Sequence, residues 1–259
     1  MGAAAACLVG ACAHFGAPGP VAADRPGYTD TPVALPPHAV QLETGVTDDR
    51  SGPEGARTEY VSAGETLLRL GVGASAELRL FGNSYAIRTV DNTPRVRGME
   101  DAKLGAKVSL RAIPDSVHSW APNAALLAAT TLPTGASGLT AGSAQPEAKI
   151  AMNWTTPTPF SLYSNVGYGT IYNETGRAQR VWTSVASWWA VNPRASVFVE
   201  GLVFGRISGS GSGTAARDAD AGVTWLVTDR FQLDLRAGRG FGSESSTERF
   251  VGVGLARRW

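Results

Sequence analysis

Catalysis needs nucleophiles, acids, bases or metal ligands within reach of one another, and in this chain of 259 residues the usual donors are scarce. Cys7 and Cys12 both lie near the N-terminus, so a chain cleaved after a leader keeps no thiol, disulfide or thiolate metal site. Of the three histidines, His14 falls in the same stretch, while His38 and His118 stand in Pro-flanked or loop-like surroundings. Neither a metal-ligand spacing nor a His-activated nucleophile results. No Gly-x-Ser-x-Gly elbow occurs. Ser208-Gly209-Ser210-Gly211-Ser212-Gly213 reads as a flexible loop, because no Lys or helix follows it to build a phosphate cradle. The chain is therefore expected to be no enzyme and to carry no cofactor or metal, with a Ser/carboxylate or paired-Asp hydrolase as the residual alternative. A net charge of +1 without a basic cluster gives no electrostatic reason to expect nucleic acid.

The informative charges are those that alternate with apolar residues. In a strand successive side chains point to opposite faces. Ala102, Leu104, Ala106, Val108 and Leu110 oppose Lys103, Lys107 and Ser109, and Ala148, Ile150, Met152 and Trp154 oppose Glu147, Lys149 and Asn153. Ala219, Ala221, Val223 and Trp225 stand against Asp218, Asp220 and Thr224, and Phe231, Leu233 and Leu235 against Gln232, Asp234 and Arg236. With Arg69, Glu77, Arg79 and Glu200, the charged members are candidate inward-facing, pore-lining residues: Arg69, Glu77, Arg79, Lys103, Lys107, Glu147, Lys149, Glu200, Asp218, Asp220, Asp234 and Arg236. One reading has them pair across a lumen and brace it; the other makes them a constriction that selects solutes. Asn123 to Leu132 is apolar on both faces, so its register is illegible.

These strands have a rhythm. We place them near 39–48, 64–73, 75–83, 101–111, 121–132, 146–155, 159–170, 179–190, 194–206, 217–227, 230–240 and 248–259. After odd strands the connections are mostly long and polar, such as 49–63, 84–100 and 133–145, and after even strands mostly short, such as Ala74 and Thr228-Asp229. The stretch 112–120 breaks the rule. Long loops on one side and tight turns on the other are what an up-and-down antiparallel membrane β-barrel with both termini in the periplasm should show. The alternative, a soluble barrel that buries the apolar face, is disfavoured by the export signal, the aromatics at strand ends and the terminal Trp259.

Aromatic residues support the same topology. Trp154, Trp189, Trp225 and Trp259 end even strands, and Trp120, Phe160 and Phe231 begin odd ones, which puts them all at one rim as interfacial anchors. Phe81, Tyr85, Tyr168, Tyr172, Phe204, Phe241 and Trp182 would mark the opposite rim. At the end of the chain, Val251, Val253, Leu255 and Trp259 share a lipid-suited face against Gly252, Gly254, Ala256 and Arg258. Arg257 interrupts the apolar set and must snorkel toward headgroups.

Met1 to Phe15 is Ala/Gly-rich and uncharged, too weakly apolar for a spanning helix, and reads as part of an export signal over 1–23 with cleavage after Val21-Ala22-Ala23. A Pro-rich segment, 24–38, follows, then the barrel over 39–259. Pro26, Pro32, Pro36 and Pro37 prevent the segment from continuing a ladder, whereas Asp24, Arg25, Tyr28 and Asp30 offer charges and a ring that suit a plug inside the barrel mouth, pairing with groups such as Lys103 or Arg236.

Asp24-Arg25-Pro26-Gly27-Tyr28-Thr29-Asp30, the Pro36-Pro37 pair, Gln41-Leu42-Glu43-Thr44-Gly45, and Gly98-Met99-Glu100-Asp101-Ala102-Lys103-Leu104-Gly105-Ala106-Lys107 resemble segments of the phenol-degradation (MetA-pathway), transporter-like outer-membrane proteins. The terminal aromatic strand resembles that of bacterial outer-membrane barrels generally. The resemblance implies a bacterial outer-membrane channel or transporter for small, aromatic or hydrophobic solutes, with outer-membrane lipid, the solute and the barrel assembly machinery as partners. A structural barrel without transport is the alternative.

Overall fold

The computed structural model describes residues 20–52, 55–112, 120–155, 159–173, 176–209, 213, 215–241 and 247–259. The expected leader up to residue 19, the loop holding His118 and the turn at 156–158 lie outside the described residues. The described chain is built from strands: β1 (Val40–Ser51), β2 (Thr58–Ala63), β3 (Leu67–Gly71), β4 (Ala76–Phe81), β5 (Tyr85–Val90), β6 (Val96–Met99) and β7 (Ala102–Arg111). Then come β8 (Asn123–Leu132), β9 (Gln145–Thr155), β10 (Phe160–Asn173) and β11 (Gly176–Asn192). The last four are β12 (Ala195–Ser208), β13 (Ala215–Thr228), β14 (Phe231–Phe241) and β15 (Thr247–Arg258).

Three barrel strands are interrupted. β1 pairs with β3 through Val40–Glu43 and with β2 through Val46–Ser51, so β2 and β3 are two lengths of one stave. In the same way β4 and β5 pair with β3 and β2, and β7 and β6 pair with β4 and β5. The remaining neighbours are consecutive and antiparallel, and β15 pairs with β1 from Gln41↔Arg258 to Ser51↔Thr247. The result is a closed antiparallel barrel of twelve strands. Closure leaves no strand edge with unpaired N–H and C=O groups, which hydrocarbon would not tolerate. The Trp259 N–H donates to the Val40 carbonyl at 2.9 Å, so both ends of the barrel strands meet at one rim, here called the terminal rim.

Alternation sorts the wall. Leu104, Val108, Ile150, Val199, Val223, Leu235, Val251 and Val253 are exposed on the outside, while Lys107, Glu200, Asp234, Arg236, Ala256 and Arg258 are buried inside. A period of two puts each charge and its apolar neighbours on opposite sides of one wall. β8, unreadable from its residue types, takes its register from its neighbours: Ala125 and Leu127 turn inward with Ala151, and Leu126 turns out.

Two expectations are corrected. The stretches 49–63 and 84–100, expected as long loops, are mostly strand, because β1 runs on to Ser51 and β2, β5 and β6 lengthen the staves. Their residues alternate poorly because a strand standing above the apolar slab has no lipid to exclude. Phe81, Trp182 and Phe204, assigned to a lipid-facing girdle, face the lumen instead. Phe81 lies beneath Arg79 and Lys103 at 5.3 and 5.1 Å, and Arg180 lies over Trp182 and Phe204 at 5.1 and 5.4 Å. A position late in a strand says how far along the wall a ring sits, and parity alone says which side it faces. Tyr85, Tyr168 and Phe241 are exposed. At the terminal rim Trp225 and Trp259 are exposed, Trp189 packs on Phe160 at 5.7 Å, and the Trp154 indole N–H donates to the Trp120 carbonyl at 3.0 Å.

Candidate functional site: the lumen and the N-terminal segment

Residues 20–39 enter at the terminal rim and fold back inside the barrel before β1. The Val21 N–H donates to Asp229 in the β13–β14 turn at 2.8 Å, and the Arg258 guanidinium donates to the Pro20 carbonyl at 3.0 Å. Prolines deny the segment its own ladder, so its backbone groups are satisfied by wall side chains. Glu43 accepts from the Asp24 and Arg25 N–H groups, each at 3.0 Å through Oε2. Glu200 accepts from Tyr28 and Thr29 at 2.7 and 2.6 Å, Asn165 from Asp30 at 2.9 Å, and Glu77 from Leu35 at 2.8 Å. The Ser109 hydroxyl donates to the Pro32 carbonyl at 2.9 Å, and at the return Ala39 donates to Pro36 at 3.1 Å.

The charges form one buried network. Arg69 reaches Glu43 at 3.1 Å, Glu77 at 2.8 Å and Asp24 at 3.5 Å. Arg79 pairs with Asp24 through Nη1 and with Asp30 through Nη2 at 2.9 Å, and Lys107 lies 2.9 Å from Asp24. Lys149 pairs with Asp30. Desolvating so many charges is costly, and only complete pairing makes the arrangement tenable. Lys103 does not reach the segment: it bonds Glu147 at 2.5 Å. Nor does Arg236 bind a segment carboxylate. Its guanidinium lies against both Tyr28 and Phe250, 4.7 and 5.2 Å from the ring centroids, a cation–π arrangement shared by two rings that contact each other. Tyr28 also meets Phe250 edge-on at 6.0 Å. Asp220 is buried directly across from Glu200 in the β12–β13 ladder, and Asp218 is half-buried one turn of the pleat away.

Arg25 has a seat of its own. Its guanidinium bonds Glu65 at 2.9 Å, lies 3.5 Å from Asp234 and donates to the Val253 carbonyl at 3.3 Å. It rests on Gly45 of β1 and Gly254 of β15, which are register partners across the closing seam, and a Cβ on either would overlap it. Glycine permits that close approach. Gln41 and Glu43 belong to the site although residue typing did not single them out. Their signal was present, since they alternate with Val40 and Leu42. The glycine seat, by contrast, carries no signal in a barrel rich in glycine.

Two cavities flank the segment. One, of about 380 Å³, opens toward the far rim past Glu65, Ser84 and Glu100 and is floored by Tyr28, Asp30, Arg79 and Lys103. The other, of about 280 Å³, opens toward the terminal rim beside Trp188, Asn192 and Arg194. Asp24 and Arg25 line both. A third space of about 80 Å³ lies beside Asp30, Arg79 and Lys149.

A closed barrel with an apolar exterior and a charged, partly filled interior is an outer-membrane β-barrel, and its location is the bacterial outer membrane. More particularly, residues 23–259 match the family model described as "Putative MetA-pathway of phenol degradation", and the chain belongs to that family. No curated protein sequence matches it at a significant level. Among solved structures it is similar to a COG4313 outer membrane channel from Pseudomonas putida F1, with 15% identity and a TM-score of 0.64 over 90% of this chain and 99% of that one. The NanC porin matches at 7% identity and a TM-score of 0.52, over 84% of this chain and 98% of that one. The translocator domain of the autotransporter NalP from Neisseria meningitidis matches at 11% identity and 0.55, over 85% and 88%. At such identities the likeness is one of fold.

Proposed function

We propose that the protein is a narrow outer-membrane channel for small solutes, aromatic or hydrophobic ones among them, whose lumen is lined by the inward charges and narrowed by residues 24–38. In this reading the terminal rim faces the periplasm and the far rim the outside, which the mostly short connections on one side and mostly longer ones on the other support. The observation that carries the reading is the pair of cavities on opposite sides of the segment, which meet at Asp24 and Arg25. A barrel of this size is wider than one filled by side chains and narrower than an open porin, so a short segment is enough to partition it. The family match and the outer membrane channel among its structural relatives favour transport over a purely structural role. Rings at Phe81 and Tyr28 give the far cavity aromatic surface beside the cations, which suits a ring-bearing solute. No enzymatic role is proposed: His38, the one histidine among the described residues, sits in the turn before β1, its backbone N–H donating to the Gly71 carbonyl at 2.9 Å.

Deleting residues 24–36 while keeping the export signal tests the reading. Single-channel conductance in planar bilayers should rise several-fold while the barrel keeps its heat-modifiable mobility. A folded deletion variant with unchanged conductance would sink it.

A further inference from the structure

The segment's two acids occupy places that a solute's carboxylates would fit, an inference that rests on the channel reading. On the wall, Arg69, Arg79 and Lys107 meet two buried carboxylates, Glu43 and Glu77, and the segment adds Asp24, against Arg69, Arg79 and Lys107, and Asp30, against Arg79 and Lys149. Within this cluster the segment's two acids complete the pairing of the four cations, while the rest of the inner wall carries acids of its own, Glu200, Asp220 and Asp234. Arg79 divides its fork between the two acids, Nη1 to Asp24 and Nη2 to Asp30. Each seat then has its own ammonium, Lys107 at 2.9 Å for Asp24 and Lys149 for Asp30. Two carboxylate seats therefore share one guanidinium.

We infer that this cluster is a two-seat carboxylate-binding site for short dicarboxylate solutes, and that Asp24 and Asp30 are built-in occupants which an arriving dianion displaces. Access comes from the far cavity, whose floor includes Arg79, Asp30 and Lys103, and the smaller cavity reaches Lys149. Asp24 and Asp30 both line the far cavity, so a solute entering there reaches both seats. A monocarboxylate can fill one seat only, leaving the other acid of the segment in place. A dicarboxylate replaces both, and planar carboxylates match the guanidinium fork and the ammonium groups that hold them. Neutral solutes cannot replace the lost charge and leave the cations unpaired. Because Asp24 and Asp30 are tethered, they compete at an effective concentration on the order of millimolar or above, so binding to the intact site is weak and displacement is reversible.

The test is isothermal titration calorimetry on the full-length folded protein with sodium succinate, and with succinamide as the uncharged comparison. In Asp24→Asn/Asp30→Asn the competitors are gone and the cations remain. This variant should bind succinate at least tenfold more tightly than wild type, should ignore succinamide, and should lose succinate binding when Arg79→Gln is added. A folded double variant that binds succinate no better than wild type does, or no better than it binds succinamide, overturns the site. If the double variant does not fold, Asp30→Asn alone should still gain several-fold in succinate affinity, and no gain overturns the inference. Calorimetry reads binding without requiring current. A barrel that conducts but does not bind succinate refutes this site alone, and one that binds succinate but never conducts refutes the channel reading alone.

Discussion

Asp24 shows how a single residue is held in a lumen. Burial pushes its carboxyl group upward, yet Arg69, Lys107 and Arg79 around it outweigh that push and hold it well below the usual carboxylate range. The direction fixes the pH dependence. A group whose folded pKa is depressed contributes stability that is fully present above its unfolded value, about 3.9 for Asp, and that is lost as pH falls through the folded value. Docking of the segment through Asp24 should accordingly be insensitive to pH between 7 and roughly 5 and should release only below about pH 4. Conductance and limited proteolysis of the segment, followed against pH, check this. Release with a midpoint near neutrality would contradict the pairing. The same residue shows why charge alone is a poor guide to partners. Lys103 and Arg236 are also cations of the inner wall, but one is occupied by Glu147 and the other by two aromatic rings.

At the scale of elements, the N-terminal segment and the seam between β1 and β15 are a unit. Arg25 lies across Gly45 and Gly254, one from each of the two strands that close the barrel, and is held at its ends by Glu65 and Asp234. A branched side chain at Gly254 would expel the guanidinium from its seat without touching the backbone ladder. Overpacking of this kind costs about 1–3 kcal/mol. Gly254→Val should therefore loosen the segment and raise conductance while the barrel remains folded. Gly201→Ala, at a position where an added Cβ meets open space, should leave conductance at the wild-type level. Equal conductance in Gly254→Val and wild type would mean that Arg25 does not hold the segment. The prolines fit the same account: they remove donors the segment cannot use and restrict its unfolded ensemble, which lowers the entropy lost on docking.

For the whole molecule the closing strand decides whether a barrel exists. β15 pairs on both sides, with β14 and β1, and ends on an exposed Trp259 whose ring lies 5.1 Å from the Arg257 guanidinium. That contact explains how an arginine survives on the lipid-facing side: it folds back over the interfacial ring, near the headgroups, instead of remaining in hydrocarbon. Replacing Trp259 with Ser removes both the anchor and the cover for Arg257. We expect Trp259→Ser to lower assembled, heat-modifiable barrel several-fold at equal synthesis, in keeping with the proposed recognition of the strand by the assembly machinery. Equal amounts of folded protein would show that the aromatic end is incidental.

The sequence by itself sorted most charges onto one face of each strand, because side chains alternate with a period of two, and the export signal, the aromatics at strand ends and the terminal Trp259 made that face the inner one by pointing to lipid outside. Lys107, Lys149, Asp234 and Arg236 were legible in this way. It also determined that residues 24–38 cannot join a ladder, since four prolines forbid it. Alternation says nothing where both faces are apolar, as in β8, or where a strand rises beyond the lipid, as in β2, β5 and β6. Only the tertiary structure decided these registers, because there the neighbouring strands set the register and the residue types do not. It alone decided which cation Asp24 and Asp30 would meet, since residues far apart in the chain, such as Arg79 and Lys149, become neighbours only when the barrel closes. Closure likewise turns Gly45 and Gly254, at opposite ends of the chain, into the two halves of one seat for Arg25.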